Sequence, residues 1–235
     1  ELETTTAAGN VQVTTKTGDI SLTNKDTYGK TAIDSQGGVL AQTTTGNITV
    51  SGDVTAGKEV KVDAGKDGTG TGYVKVTGDV TAKGGNAQIQ AADVAGTNYG
   101  EATTPYAGDI VITGDVTGSQ TASLNAVNGN INLKGDLKGT SDDATITASD
   151  AANSDSQGNI VIDGDVTAGD ELTVSTDHGT ITTGTENNDS LLTAGTTASI
   201  TTEDGDITLI GQTTSKQGTT VATTNTGDIS LTGEL

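Results

Sequence analysis

The segment GNITVSGDV at 46–54 decides the fold. Its aliphatic residues Ile48 and Val50 alternate with the polar residues Thr49 and Ser51. A β-strand places alternate side chains on opposite faces, so this segment predicts a strand with one apolar and one polar face. The flanking glycines predict tight corners at both ends of the strand.

Copies of this segment recur along the chain. The complete copies have a second Gly six residues after the first, at 46–54, 72–80, 108–116, 129–137 and 158–166, and shorter copies stand at 18–22, 179–181, 205–209 and 227–231. A third alternating segment follows most copies, as at 60–62, 88–90, 123–125, 145–147 and 172–174. Each repeat is therefore predicted to contain three strands separated by corners.

The repeat length predicts a solenoid. Successive first glycines are 28, 26, 36, 21, 29, 21, 26 and 22 residues apart, so roughly 21–22 residues form the minimal repeat and the rest is loop. One such unit cannot bury its apolar face alone, whereas stacked units bury a continuous column. We therefore predict an all-β, single-stranded, right-handed parallel β-helix of about nine to ten turns, roughly 45 Å long.

Two other all-β folds fit the sequence less well. A β-sandwich needs neither a fixed six-residue offset nor a repeated consensus. A calcium roll needs a Gly-Gly-x-Gly-x-Asp nonapeptide, which the sequence lacks.

Composition excludes several classes of protein. The chain has no Cys, Met, Trp or Phe and four Tyr, so its core must be built from Ile, Val, Leu and Ala. The net charge of −20 opposes nucleic acid and anionic membranes. No apolar stretch approaches the roughly 20 residues of a membrane span, so we expect no membrane insertion.

We expect residues 1–235 to form one continuous β-solenoid segment. Terminal solenoid repeats normally carry polar caps. Neither end of this sequence has one, so we expect both ends to be cuts from a longer repeat array.

The Gly-[Asp/Asn]-Ile-x-Leu, Gly-Asp-Val and third-strand pattern, with Thr, Ala and Gly between, resembles the central repeats of filamentous-haemagglutinin-like exoproteins of two-partner (type V) secretion. The resemblance covers essentially the whole chain. It implies a secreted protein displayed on a bacterial cell surface, export through an outer-membrane transporter partner, and a role in adhesion and biofilm formation.

In most repeats the first corner is the Gly-Asp or Gly-Asn pair before the first strand, and the second corner is the Gly-Asp pair between the first and second strands. The second corner is predicted to stack five carboxylates in a column. They belong to Asp53, Asp79, Asp115, Asp136 and Asp165. Like charges about 5 Å apart repel, so something must offset the repulsion. One interpretation is an Asx-type turn in which each carboxylate accepts nearby backbone N–H groups. The alternative is Ca²⁺ bridging neighbouring turns through these oxygens.

The segment 91–107 is the longest predicted insertion, and it holds Tyr99, Tyr106 and the only Pro. Loops on a rigid scaffold often bind ligands, and Tyr suits contact with sugars or proteins, so Tyr99 and Tyr106 are the predicted ligand-binding residues. The alternative is a loop that covers part of the wall. Shorter polar insertions are predicted at 26–35, 63–71 and 149–157.

No arrangement in the sequence points to catalysis. His178 has no evident nucleophile or second catalytic group beside it. We expect a structural stalk or repeat module of a bacterial surface adhesin and no enzymatic activity. The alternatives are direct glycan or protein binding through the 91–107 loop, self-association into a matrix filament, and a polysaccharide-degrading β-helix enzyme. The expected partners of the full-length protein are host-cell or bacterial surface glycans and proteins.

Overall fold

The computed structural model describes residues 2–3, 5–24, 30–94, 105–149, 158–185 and 188–234. These residues form an all-β structure without helices. Its strands in chain order are β1 (Leu2–Glu3), β2 (Thr5–Ala7), β3 (Val11–Thr17), β4 (Ile20–Thr23), β5 (Thr31–Ser35), β6 (Val39–Thr45), β7 (Ile48–Ser51), β8 (Asp53–Ala56), β9 (Val60–Ala64), β10 (Thr71–Gly72), β11 (Val74–Thr77), β12 (Val80–Ala82), β13 (Ala87–Asp93), β14 (Ile110–Thr113), β15 (Val116–Gly118), β16 (Ala122–Val127), β17 (Ile131–Lys134), β18 (Leu137–Gly139), β19 (Ala144–Ser149), β20 (Ile160–Asp163), β21 (Val166–Ala168), β22 (Leu172–His178), β23 (Ile181–Thr183), β24 (Ser190–Ala194), β25 (Ala198–Asp204), β26 (Ile207–Ser215), β27 (Thr220–Thr226) and β28 (Ile229–Glu234).

The strands form two long, predominantly parallel sheets. In one sheet, the first strand of each repeat pairs with the first strand of the next, and the second strands pair likewise; β14 pairs with β17, and β15 with β18. The third strands form the other sheet, in which β16 pairs with β19. We call these three stacks of strands the first, second and third walls. The arrangement is consistent with the predicted parallel β-helix.

The register places equivalent residues of successive repeats side by side. Ile110 pairs with Ile131, which pairs with Ile160, and the inward residues Leu124 and Ile146 pair on the third wall. Their side chains are buried in a continuous aliphatic core. The period-2 pattern therefore specifies the core as predicted, because alternate side chains point between the walls.

Buried threonines on the third wall donate hydrogen bonds to the backbone of the first corner. The hydroxyl of Thr176 donates to the carbonyl of Gly158 at 2.6 Å, and that of Thr202 donates to Gly179 at 3.2 Å. Each bond joins the end of a third-wall strand to a first-corner glycine. These hydroxyls are tolerated in the core because they have hydrogen-bond acceptors.

All four predicted insertions overlap strands. Segment 91–107 begins inside β13, where Ala91, Ala92 and Asp93 are buried, and segment 149–157 begins at the last residue of β19. Segment 26–35 contains β5, which pairs with β8 in the second wall. Segment 63–71 begins inside β9, where Asp63 is fully buried, and ends in β10. β10 pairs antiparallel with β13, a local exception to the parallel pattern. Most of 149–157 and residues 95–104 lie outside the described residues.

Candidate functional site

The second corner has a backbone conformation that favours glycine. The φ angle is 130° at Gly78 and Gly114 and 137° at Gly135. A Cβ atom at Gly135 would lie 2.2 Å from the backbone oxygen of Gly114 on the preceding repeat. Glycine is required for both reasons, and it sets the following Asp at the same point of each repeat.

The five Asp residues of the second corner form a hydrogen-bonded ladder. The backbone N–H of Asp79 donates to Oδ1 of Asp53 at 3.0 Å, and that of Asp115 donates to Oδ1 of Asp79 at 2.9 Å. The same bond joins Asp136 to Asp115 and Asp165 to Asp136, each at 2.9 Å. The carboxylates accept backbone N–H groups as predicted, but the donors lie on the next repeat instead of in the same turn.

The ladder offers one physical answer to the charge repulsion in the column. An N–H dipole approaches Oδ1 of each carboxylate, and a hydrogen bond to an ionised acceptor is stronger than a neutral one. The column lies near the surface, where water and salt screen the charges. The alternative interpretation, in which Ca²⁺ bridges these five residues, stays an untested prediction.

A group of three carboxylates lies at the third corner, which is the corner between the second and third strands of a repeat. Among the described residues, Asp142, Asp143 and Asp170 each offer a ligand atom within 4.8 Å of the others. The backbone N–H of Asp170 donates to the carbonyl of Asp142 at 3.1 Å, which brings the two repeats together at this point. With one ligand atom from each residue, the group supplies three of the six to eight oxygens that Ca²⁺ takes, so water would complete such a site. Sequence reasoning missed this group, although adjacent Asp residues at a corner are a visible signal.

The first corner carries the same kind of ladder with a mixture of Asp and Asn. Asn130 N donates to Oδ1 of Asp109 at 2.8 Å, and Asn159 N donates to Oδ1 of Asn130 at 3.0 Å. Both residue types present an Oδ1 acceptor, so the ladder accounts for the mixture without an ion. Tyr73 has no such acceptor, and there the N–H of Asp109 donates to the carbonyl of Tyr106 at 3.0 Å.

The predicted ligand-binding segment 91–107 is described at its two ends, residues 91–94 and 105–107. Tyr106 is 39% exposed, and its N–H donates to Oδ2 of Asp109 at 2.9 Å. Tyr99 lies outside the described residues. Asp109 is buried; burial raises its pKa above the ordinary value, against the opposing effect of hydrogen bonds from Asn130 and Tyr106. Asp109 therefore anchors the return of this loop to the first wall.

A buried charged group lies on the outer side of the third wall. The carboxylate of Asp63 accepts from Nε2 of Gln42 at 2.9 Å and from the N–H of Asp67 at 3.0 Å, and it lies 3.1 Å from Nζ of Lys61. Nζ of Lys61 also donates to Oδ1 of Asp67 at 2.6 Å. Partial burial acts to lower the pKa of Lys61, but its bonds to Asp67 and Asp63 outweigh this and raise it. The positive charge of Lys61 is therefore balanced by the carboxylates of Asp63 and Asp67.

His178 is paired with an acidic residue on the next repeat. Its Nδ1 lies 3.2 Å from Oδ2 of Asp204, whose Oδ1 accepts the hydroxyl of Thr226. Because Thr226 bonds to the carboxylate and not to the imidazole, the three groups do not have the order of a nucleophile, base and orienting acid. The arrangement provides a polar link between three repeats.

No family model, no curated protein and no solved structure matches this chain. The resemblance to filamentous-haemagglutinin-like repeats accordingly remains a prediction from the sequence pattern. The described part of the chain contains no helix of the length and apolarity needed to cross a membrane.

The functional candidates thus differ in their chemistry. The second-corner ladder presents a row of oxygens that already accept backbone N–H groups, whereas the triad of Asp142, Asp143 and Asp170 clusters carboxylates at one point. Both are suited to hydrogen bonding and cation contact. Neither places a base beside a nucleophile, the minimal arrangement for covalent catalysis.

Proposed function

We propose that this chain is a rigid stalk module of a secreted bacterial cell-surface adhesin, without enzymatic activity. In this proposal it forms a right-handed parallel β-helix of about nine to ten turns, roughly 45 Å long, that holds binding regions of a larger protein away from the cell. The proposed partners are host-cell or bacterial surface glycans and proteins, bound by the full-length protein, and an outer-membrane transporter used for export.

The observation that carries the proposal is the repetition of inter-repeat hydrogen bonds. Backbone ladders join the strands of each wall, as between β16 and β19. The Asp and Asn ladders add side-chain bonds at the corners, as from Asp165 to Asp136. A load along the axis is shared by these many parallel bonds, so the rod resists extension without bulky core residues.

Charge and composition support an extracellular spacer. The net charge of −20 favours solubility and disfavours adhesion to anionic surfaces, which suits a rod that must stay extended. The absence of Cys means that the fold is independent of disulfides and of the redox state of its surroundings.

A spacer experiment tests the proposal. The chain is displayed on bacteria between a membrane anchor and a small binding domain, and capture of a ligand buried within a polymer brush is measured. We expect capture to match that of another folded rod of equal length and to fall sharply once the brush is thicker than about 45 Å. A Gly/Ser linker of the same 235 residues has a root-mean-square length of roughly 80 Å and should show no such cut-off. Capture equal to that of the flexible linker would contradict the stalk proposal, as would a compact particle in small-angle X-ray scattering.

A further inference from the structure

A groove of about 310 Å³ crosses the outer face of the third wall. It follows four outward residues that are in register on β3, β6, β9 and β13, namely Gln12, Leu40, Lys61 and Gln88. The side chain of Leu40 is shorter than those of Gln12 and Lys61 on either side. The low point of the groove is therefore aliphatic, and its two ends carry amides. Its volume lies at the lower end of the range for small-molecule sites.

The rim of the groove comes from the corner that precedes these strands. Glu59 is exposed there, and Asn86 is half-buried, with its Oδ1 accepting the N–H of Thr121 at 3.2 Å. That bond fixes the amide of Asn86 with its Nδ2 as the group available to a ligand. Gly38 interrupts this rim because it has no side chain.

The charges around the groove disfavour an anionic ligand. The one cation of the lining, Lys61, is held by Asp67 at 2.6 Å and by buried Asp63 at 3.1 Å. Glu59 adds a further negative charge at the rim, and the chain as a whole carries −20. A sulfated or sialylated ligand would meet net repulsion here.

We infer that this groove binds a short neutral oligosaccharide. The aliphatic side chain of Leu40 contacts the C–H face of one sugar ring, and the amides of Gln12 and Gln88, at opposite ends of the groove, exchange hydrogen bonds with hydroxyl groups at the two ends of the oligosaccharide. An amide both donates and accepts hydrogen bonds, as a hydroxyl group does. A neutral sugar therefore matches both the hydrogen-bonding groups of the lining and its lack of a free positive charge. The binding site lies on the wall itself, and the inference does not depend on the stalk proposal or on the Tyr99 and Tyr106 loop.

A peptide fits this surface less well than a sugar. Extended peptides gain affinity mainly by adding a strand to an exposed sheet edge. The groove instead crosses the face of four strands, and β6 and β9 already pair with neighbours on both sides. Only side chains are offered to a ligand at this place.

Saturation-transfer NMR with defined ligands tests the inference. The neutral probes are cellotriose, maltotriose, mannotriose, chitotriose and lacto-N-tetraose, with sialylated lacto-N-tetraose, a sulfated disaccharide and a pool of random decapeptides beside them. We expect saturable transfer to at least one neutral probe and weaker transfer to the charged ones. Leu40→Arg fills the low point of the groove, and we expect it to weaken binding about tenfold or more.

The matched control is Ser199→Arg, which adds the same charge on the same outward row of the third wall but outside the groove. We expect it to leave binding unchanged. If Leu40→Arg fails to fold by circular dichroism, the double substitution Gln12→Ala with Gln88→Ala replaces it and is expected to weaken binding equally. Absence of binding by every neutral probe, preference for the charged sugars or the peptides, or binding that survives these variants would overturn the inference.

Discussion

Oδ1 of Asp136 accepts the backbone N–H of Asp165 at 2.9 Å, although the two residues lie on successive repeats. The side chain of one corner thus closes the corner of the next. Because Asp136 also donates its own N–H to Asp115, the bond propagates along the column. The Gly-Asp corner therefore specifies both the bend of the chain and the register of stacking.

Two substitutions at one position of this ladder distinguish the role of the Asp side chain as a hydrogen-bond acceptor from the role of its negative charge. Asp115→Asn keeps an Oδ1 acceptor for the N–H of Asp136, whereas Asp115→Ala removes it. We expect the alanine variant to lose about 1 kcal/mol of unfolding free energy, the usual net value of one hydrogen bond. The asparagine variant should lose less than the alanine variant, because the removal of like-charge repulsion offsets the weaker bond to a neutral acceptor. Chemical denaturation measures both, and equal losses in the two variants would show that the charge itself is required.

The corner glycines give a second prediction. At Gly135, φ is 137° and a Cβ would lie 2.2 Å from the oxygen of Gly114, so Gly135→Ala must strain or shift the backbone. We expect a loss of about 1–3 kcal/mol or more in the free energy of unfolding. Gly9→Ala is the matched control, since a Cβ at Gly9 meets nothing within 4 Å. Similar stability of the two variants in thermal denaturation would contradict the close packing of the corners.

The sequence predicts the strands and the core well because both depend on local periodicity. Ile131 and Leu133 alternate with polar residues, and the structure buries both. The second corner was likewise visible, since Gly-Asp recurs at a constant offset. β5 was missed because its repeat lacks that Gly-Asp signal, although Ile33 enters the core.

The sequence predicts contacts between distant loops poorly. The buried carboxylate of Asp63 accepts the N–H of Asp67, which lies in the segment between β9 and β10, and no periodic pattern encodes the path of that segment. Asp170 lies one repeat after Asp142 and Asp143, and the length of the loops between them determines whether it reaches the same corner. Such distances follow from loop geometry, which residue identity alone does not fix.

The buried carboxyl group of Asp109 predicts a pH-dependent stability. Its pKa is raised above 3.8 by burial. A carboxyl group with a raised pKa binds its proton more tightly in the folded state than in the unfolded state. Its contribution to the free energy of unfolding is therefore fully present below pH 3.8, the ordinary pKa, and is lost as the pH rises through the pKa of the folded state. We therefore expect Asp109→Asn to gain stability relative to the wild type as pH increases above 3.8.

Urea denaturation at a series of pH values measures this difference. Asp206→Asn is the comparison, because Asp206 is exposed and its Oδ1 accepts the N–H of Asp228 at 2.8 Å, an equivalent first-corner bond. The same pH trend in both variants would show that burial of Asp109 is not the cause. Asp109→Asn also loses the hydrogen bond from the N–H of Tyr106, which should lower the free energy of unfolding by the same amount at every pH. Only the pH-dependent part of the difference therefore reports the titration of Asp109.

Calcium dependence is the last prediction, and it distinguishes the two acidic arrangements. Because Oδ1 of each second-corner Asp already accepts an N–H, we expect the melting temperature to be the same in millimolar Ca²⁺ and in chelator. An increase in Ca²⁺ that disappears in Asp170→Asn would instead place a cation at Asp142, Asp143 and Asp170. An increase that disappears in Asp115→Asn would establish the bridged column of Asp53, Asp79, Asp115, Asp136 and Asp165. Isothermal titration calorimetry of the same variants gives the number of bound ions, and sedimentation in Ca²⁺ shows whether they join molecules into filaments.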